Sequence, residues 1–201
     1  MNANARDYTT QYTSISYARL ILSAAEKEPM PSGMRKELPP RGALLPLIRL
    51  YTEKILPLVP VLEESDIYRS LDMMSGASTY SPSAMDHWTI TMILAISSAS
   101  LSRQRGDTYY TDAVGYTCSA LDVSDYVLHP GSIWSIQAML LLVQYSMLDP
   151  AHFDSWTLIG AASRAMVDLG LNVDPSKSSN TPRWKLELRR RVYHCVYALD
   201  R

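Results

Sequence analysis

Apolar residues recur at spacings of three and four along most of the chain, the period of a helix with one face turned inward. No stretch alternates apolar and polar positions in the way a half-buried strand does. The pattern predicts an all-α fold of about eight helices over residues 14–201, built as a multi-helix bundle or as stacked helix pairs, with residues 1–13 expected to be disordered. A first helix is expected around Ser16 to Glu28, closed by the stretch PMPSG. In the second, Leu44, Leu47, Ile48, Tyr51, Ile55 and Leu56 mark one face until Pro57 and Pro60 end it. The run ESDIYRSL makes a short third helix, and DMMSGASTYSPSAMD reads as a loop.

The fourth helix, about Asp86 to Ser102, carries Trp88, Met92, Ala95, Ile96 and Ala99 on one stripe and Ile93 and Leu94 beside it, which predicts substantial burial. Gly106 and Asp107 read as a stop and a new cap, opening a fifth helix through Tyr110, Val114, Cys118 and Leu121. After a break near DVSDYVLHPG, the segment SIWSIQAMLLLVQYSML is apolar around most of its circumference and belongs at the centre of the bundle. Asp149 and Pro150 predict the start of a helix that runs to Leu169 and stops at Gly170. Thr181 and Pro182 repeat that start signal ahead of a last helix, whose inward stripe is Leu188, Val192, Cys195, Val196 and Leu199.

Nineteen basic against twenty acidic residues leave a net charge of −1, so no whole-chain field exists to hold a nucleic acid, and direct DNA contact is not expected. Cys118 and Cys195 are too few for a disulfide framework, which fits a reducing intracellular compartment. No apolar run approaches a bilayer span, and the N-terminus lacks the apolar segment of a signal peptide, so no membrane association is expected. The ten methionines either mark an adaptable binding surface or fill gaps in the core.

No nucleophile elbow, phosphate-cradling glycine loop or paired-histidine metal motif is present, so no catalytic residue is nominated and the chain does not read as an enzyme. His194 and Cys195 are adjacent and should point apart on a helix, and His87, His129 and His152 lack ligand spacing, so no metal site is expected. Arg189, Arg190 and Arg191 fan out by about 100° each and cannot form one flat basic face. The small residues Gly160, Ala161, Ala162, Ser163 and Ala165 predict a close helix approach. Trp134, Tyr145 and Trp156 either pack in the core or line an effector pocket between helices. Arg164, on an otherwise small and apolar helix, needs a partner such as Asp200 or Glu187 if it is buried; its alternative is effector recognition.

Two stretches carry more than helical periodicity. In order they hold Gln144 and Tyr145 closing a leucine-rich helix, Trp156, Gly160 with Ala161, Arg164 and Ala165, Leu169 to Leu171 around Gly170, Arg189 to Arg191, and Tyr197 with Leu199, Asp200 and Arg201. Together they resemble the fungal-specific transcription factor domain, or middle homology region, found downstream of the six-cysteine binuclear zinc cluster. The segment YTEKILPLVPVLEESDIYRSL resembles the start of that domain, so the resemblance spans roughly Leu44 to Arg201. It departs at His194, where the family usually has Trp, and at Asn172 and Val173, where it usually has a His-Arg pair.

The resemblance implies a nuclear regulatory module that responds to an effector and controls transcription without itself contacting DNA. Its partners would be the transcriptional machinery or co-regulators, a small-molecule effector, or a second copy through self-association. Zinc would belong only to a DNA-binding cluster that these 201 residues do not contain, leaving this chain without a cofactor. Further helices would follow Arg201, making this the N-terminal part of a larger helical domain. The alternative is a helical protein–protein interaction or dimerisation module without a small-molecule ligand.

Overall fold

The computed structural model describes residues 16–31, 33–76, 80–174 and 182–201. Among these, nine α-helices follow one another: α1 (Tyr17–Ala25), α2 (Arg41–Leu50), α3 (Glu64–Met74), α4 (Ala84–Leu101), α5 (Thr108–Leu121), α6 (Ser124–Val127), α7 (Ile133–Leu148), α8 (Ser155–Asp168) and α9 (Arg183–Asp200). A single wider turn, Tyr51–Ile55, continues α2 with a Leu56-to-Tyr51 hydrogen bond of 2.8 Å. The fold is all-α, as the periodicity predicts, and the described residues contain one isolated bridge, between Glu26 and Phe153, and no strand.

Helices α4 and α7 occupy the centre because neither has a polar side. Every residue from Trp88 to Ser98 and from Ser135 to Ser146 is buried. Most of the remaining helices turn one stripe onto this pair: α2, α3, α5 and α6 pack on α4, whereas α8 and α9 pack on α7 and on each other. α1 closes the far side against α8 and α6. Burying an apolar side chain contributes about 1.5–3 kcal/mol, so the many apolar residues in the buried runs of α4 and α7 make the largest contribution to the core.

Polar groups inside this core are spent on register. The Trp88 indole donates to the Ala138 carbonyl at 3.2 Å, tying α4 to α7. Gln137 donates to the Val61 carbonyl at 2.6 Å, Ser97 to the Leu47 carbonyl at 2.9 Å, and the Tyr51 hydroxyl to Gln144 at 3.2 Å. A buried donor without a partner costs about 1–3 kcal/mol, so each bond penalises any slide of one helix along another. Burial pushes the Tyr51 hydroxyl's pKa far above its ordinary value, against the opposing hydrogen bond to Gln144.

Local signals set the ends. Gly106 adopts φ +91° and Asp107 accepts the Tyr110 amide at 2.7 Å, so the stop and the cap fall where the sequence places them. Gly170, at φ +64°, ends α8 in the same way. Other boundaries move. α1 stops at Ala25 rather than Glu28, α3 runs on to Met74, and α4 starts at Ala84, capped by Ser83 inside the segment expected to be loop. Asp149 and Pro150 do not start α8: the chain turns through Ala151–Phe153 and the cap is Asp154, which accepts the Thr157 amide at 3.0 Å. Asp149 is instead buried, receiving the Tyr145 hydroxyl at 2.9 Å. Thr181 and residues 1–13 lie outside the described residues.

The close backbone approach is not where the small residues cluster. No heavy atom lies within 4 Å of where a Cβ on Gly160 would sit, because α8 turns Leu158, Ile159, Ala162 and Met166 inward and Gly160 sideways. The tight contact falls at Gly115 on α5, where an added Cβ would stand 3.0 Å from the Lys36 Cβ and 3.1 Å from the Met34 carbonyl oxygen. An extended segment before α2 lies here directly on the helix. Its Lys36 amide bonds the Gly115 carbonyl at 3.2 Å and the Ser119 hydroxyl at 3.1 Å.

Candidate functional site

A cleft of about 490 Å³ opens between α3, the start of α4 and the corner joining α6 to α7. That volume lies within the range of small-molecule sites, which mostly fall between about 300 and 1,000 Å³. α3 contributes Asp66, Arg69, Ser70 and Met73, whose spacing of three, four and seven puts them on one face. The start of α4 adds Ser83, Met85, Asp86 and Thr89, and the corner adds Tyr126, Val127, His129 and Trp134.

The floor is polar and ordered. Asp86 closes a capping box: the Ser83 hydroxyl accepts the Asp86 amide at 3.1 Å, and the Asp86 carboxylate accepts the Ser83 amide at 2.9 Å. The same carboxylate accepts the Ser70 and Ser83 hydroxyls, each at 2.6 Å, which joins α3 to α4. Burial pushes the Asp86 carboxyl up, but the bonds from Ser70 and Ser83 and the Arg69 charge outweigh it and hold the group below its ordinary value. It is ionised at neutral pH. Asp66 and Arg69 pair at 3.1 Å one turn apart.

The rim is aromatic and soft. Tyr126 is 76% exposed and Trp134 45%, with the Met73 and Met85 thioethers half-buried beside them. Gly131, at φ +88°, lets the chain turn the corner, and the Ser132 hydroxyl accepts the Trp134 amide at 3.2 Å to start α7. Ser135 then receives the His129 amide at 3.0 Å, fixing the corner against the helix.

The four residues nominated for an effector pocket do not converge. Trp134 lines the cleft. Tyr145, at the other end of α7, is sealed in the core, and burial followed by the Asp149 charge raises its hydroxyl's pKa far above the ordinary value. Trp156 is 75% exposed on the outer side of α8. Arg164 is exposed on the same side and pairs with neither Asp200 nor Glu187; Glu187 is held by Arg183 at 2.9 Å. Inward packing of Leu158, Ile159, Ala162 and Met166 forces positions 156 and 164 outward. Nothing in the sequence marks the cleft residues Asp66, Arg69, Ser70, Asp86 and Tyr126 as a site, because their mixture of charge and polarity reads as solvated surface.

The remaining motif residues serve the packing of α9. The Gly170 carbonyl accepts the Arg189 guanidinium at 2.8 Å, Arg190 grips Asp174 at 2.9 Å, and Arg191 reaches Glu63 at 2.6 Å, three directions from three successive positions. The Arg190 hydrogen bond, then its charge, lowers the Asp174 carboxyl. Tyr197 stacks on Tyr193 with centroids 6.2 Å apart, and Arg201 lies 4.7 Å over the Tyr197 ring; Asp200 is exposed. His194 is exposed and Cys195 buried, pointing apart. Asn172, Val173 and His194, which depart from the family pattern, line one recess of about 250 Å³ beside Arg189 and Arg190.

No helix among the described residues is long and apolar enough to cross a membrane. No solved structure matches the chain at a significant level. Curated relatives do. The chain is 24% identical over 210 residues to a positive regulator of purine utilization from Emericella nidulans, covering 77% of this chain and 20% of that protein. It is 34% identical over 94 residues to the pyrimidine pathway regulatory protein 1 of Saccharomyces cerevisiae, covering 47% of this chain and 10% of that protein. A negative regulator of pleiotropic drug resistance from Candida glabrata matches at 31% over 77 residues, 37% of this chain and 8% of that protein. The chain thus spans a fifth or less of the length of these relatives. The family profile of the fungal specific transcription factor domain matches residues 48–201, from the end of α2 to the last residue of α9 and beyond it to Arg201, and the chain belongs to that family.

Proposed function

We propose that this chain is the effector-responsive regulatory module of a fungal zinc-cluster transcription factor, acting in the nucleus and controlling transcription without itself touching DNA. The observation that carries the effector half of this reading is the cleft whose walls come from three separate elements, α3, α4 and the α6–α7 corner. A ligand seated there touches the central pair and two peripheral elements at once, so it can favour one packing of α3 and α6 on the centre over another. It shifts that equilibrium only by its difference in affinity for the two packings, about 1.4 kcal/mol for each tenfold. The cleft requires no cofactor or metal to work in this way, and no catalytic role is proposed for it.

The reading is tested by a thermal-shift screen of metabolites and xenobiotics against the chain and its Trp134→Ala variant. A ligand at a hundred times its Kd stabilises the native state by about 2.7 kcal/mol. The expected result is a raised Tm in the unaltered chain that is lost in the variant. If every ligand that raises the Tm does so equally in both proteins, the cleft is not the effector site.

A specific observation favours a second reading. α8 leaves Trp156, Arg164 and Val167 exposed along one outer strip, the composition of a protein-docking face rather than of a solvated one. On this reading the module binds a co-regulator or a second copy. Trp156→Ala would then abolish association in sedimentation while leaving the Tm unchanged.

A further inference from the structure

We infer that the cleft beneath Trp134 takes an amphiphilic organic cation, with its apolar body between Trp134, Tyr126 and the methionines Met73 and Met85 and its positive centre over the Asp66–Asp86 floor. The inference deepens the effector reading above and rests on it. Charge is the first argument. The lining side chains that can carry charge near neutral pH are Asp66, Asp86, Arg69 and His129; with histidine neutral, two carboxylates face one guanidinium and leave an excess of one negative charge. Arg69 is already committed to Asp66 at 3.1 Å and lies close enough to Asp86 to lower its carboxyl. An anion approaching Arg69 would meet both carboxylates, whereas a cation entering the cleft meets them as partners.

The walls point the same way. Aromatic faces attract cations through the ring quadrupole, and Trp and Tyr are the strongest side chains for this. Trp134 and Tyr126 are both exposed at the rim, a large uncovered aromatic surface at the mouth of a polar-floored cavity. Met73 and Met85 beside them are polarisable and adapt to ligands of varied shape. The Asp86 oxygens are held by Ser70 and Ser83, so this carboxylate acts as a fixed charge rather than as a free hydrogen-bond acceptor. Among the described residues the Asp66 carboxylate pairs with Arg69, and it is the group that a ligand's cationic centre would engage directly.

The experiment uses three planar fluorophores titrated into the full chain: berberine, a cation; Nile red, which is neutral; and 1-anilinonaphthalene-8-sulfonate, an anion. Berberine should bind saturably, roughly tenfold more weakly in Asp66→Asn and in Trp134→Ala, and more weakly at high salt. Arg69→Met, which removes the guanidinium that competes for Asp66, should tighten berberine severalfold. Circular dichroism and Tm of each variant report whether the fold is retained. Three outcomes overturn the proposal. They are unchanged berberine binding in both Asp66→Asn and Trp134→Ala, weaker berberine binding in Arg69→Met, and Trp134-dependent binding of a neutral or anionic dye alone. The last result leaves the cleft as an effector site of different charge preference, so it sinks the cation and not the effector reading. If no dye of any charge binds in a Trp134-dependent manner, the cation is ruled out, and the metabolite screen separately decides the effector reading.

Discussion

Two glycines, each inside a helix, should respond in opposite directions to the same substitution. In an unobstructed helix interior, Gly→Ala stabilises by about 0.5–1 kcal/mol, because alanine gives up less backbone entropy on folding. Gly160→Ala meets no atom within 4 Å and should realise that gain. Gly115→Ala starts from the same gain but places its methyl 3.0 Å from the Lys36 Cβ and 3.1 Å from the Met34 carbonyl oxygen. Comfortable carbon contacts lie at about 3.5–4.0 Å, so the segment carrying Met34 and Lys36 must retreat by a few tenths of an ångström. That retreat lengthens and weakens the 3.2 Å bond from the Lys36 amide to the Gly115 carbonyl. It also strains the Ser119 hydroxyl's 2.9 Å bond to the Lys36 carbonyl and the 2.7 Å pair of Arg35 with Asp122. Overpacking of this kind costs about 1–3 kcal/mol, which exceeds the propensity gain and leaves a net loss of about 0.5–2 kcal/mol. At roughly 2–4 °C per kcal/mol for a chain of this size, calorimetry should show Gly160→Ala raising Tm by about 1–4 °C and Gly115→Ala lowering it by about 1–8 °C. If Gly115→Ala matches or exceeds the unaltered protein, the segment is not seated on α5 as described, and the register of everything before α2 is in error.

Tyr145→Phe should cost about 1–3 kcal/mol in urea unfolding, since it strips the buried Asp149 carboxylate of its 2.9 Å donor; a change within error would mean that water or His152 replaces it. Asp86 has a folded pKa below its ordinary value, so it contributes stability at neutral pH that is lost as pH falls below about 4 through the folded value. Asp86→Asn should therefore be less stable at pH 7 and show a flatter acid limb in Tm against pH; parallel curves would contradict the capping-box assignment. Burial pushes the Cys195 thiol up to about 11, with Arg191 opposing, so it should resist iodoacetamide at pH 8 until the chain unfolds. Modification of Cys195 under native conditions, read by mass spectrometry, would show that α9 detaches locally.

How much of this was legible depends on how far apart the cooperating residues lie. The central position of α7 could be read from one segment, because a helix apolar on all sides has no stable place at a surface. The stop at Gly106 and the cap at Asp107 are likewise local, a single backbone conformation followed by a single side-chain bond. Ser83 and Asp154 are equally good caps, but each lies among other serines, aspartates and prolines that offer competing starts, and tertiary packing chose between them. Gly115 was invisible because its reason for being glycine lies some 80 positions away at Met34 and Lys36. The same holds for the cleft: Asp66 and Trp134 meet only once α3 and α7 have docked on α4. The sequence places Trp88 on a buried stripe and leaves Trp134 and Trp156 between core and pocket, and only the direction of each helix decides that one is core, one is rim and one is outer surface.

The short pairing between the segment after α1 and the turn before α8 bears on the order in which the chain assembles. The amides of Lys27 and Glu28 bond the carbonyls of His152 and Ala151, the Asp154 amide bonds the Ala25 carbonyl, and His152 bridges back to Glu28 at 3.2 Å. Glu28 and His152 stand 124 positions apart, and the other pairs are similarly distant. The α4–α5 and α7–α8 pairs, by contrast, are joined by loops of a few residues. By chain entropy, closing the long loop from an open coil costs about 2 kcal/mol more than closing a segment of ~15 residues. The two local pairs therefore have a kinetic head start, and α1 can gain its contacts with α8 only after α8 has taken its place. Such a latch is the last part of the molecule to dock and the first to let go, which makes the amides of Lys27, Glu28 and Asp154 early reporters of subglobal opening in hydrogen exchange.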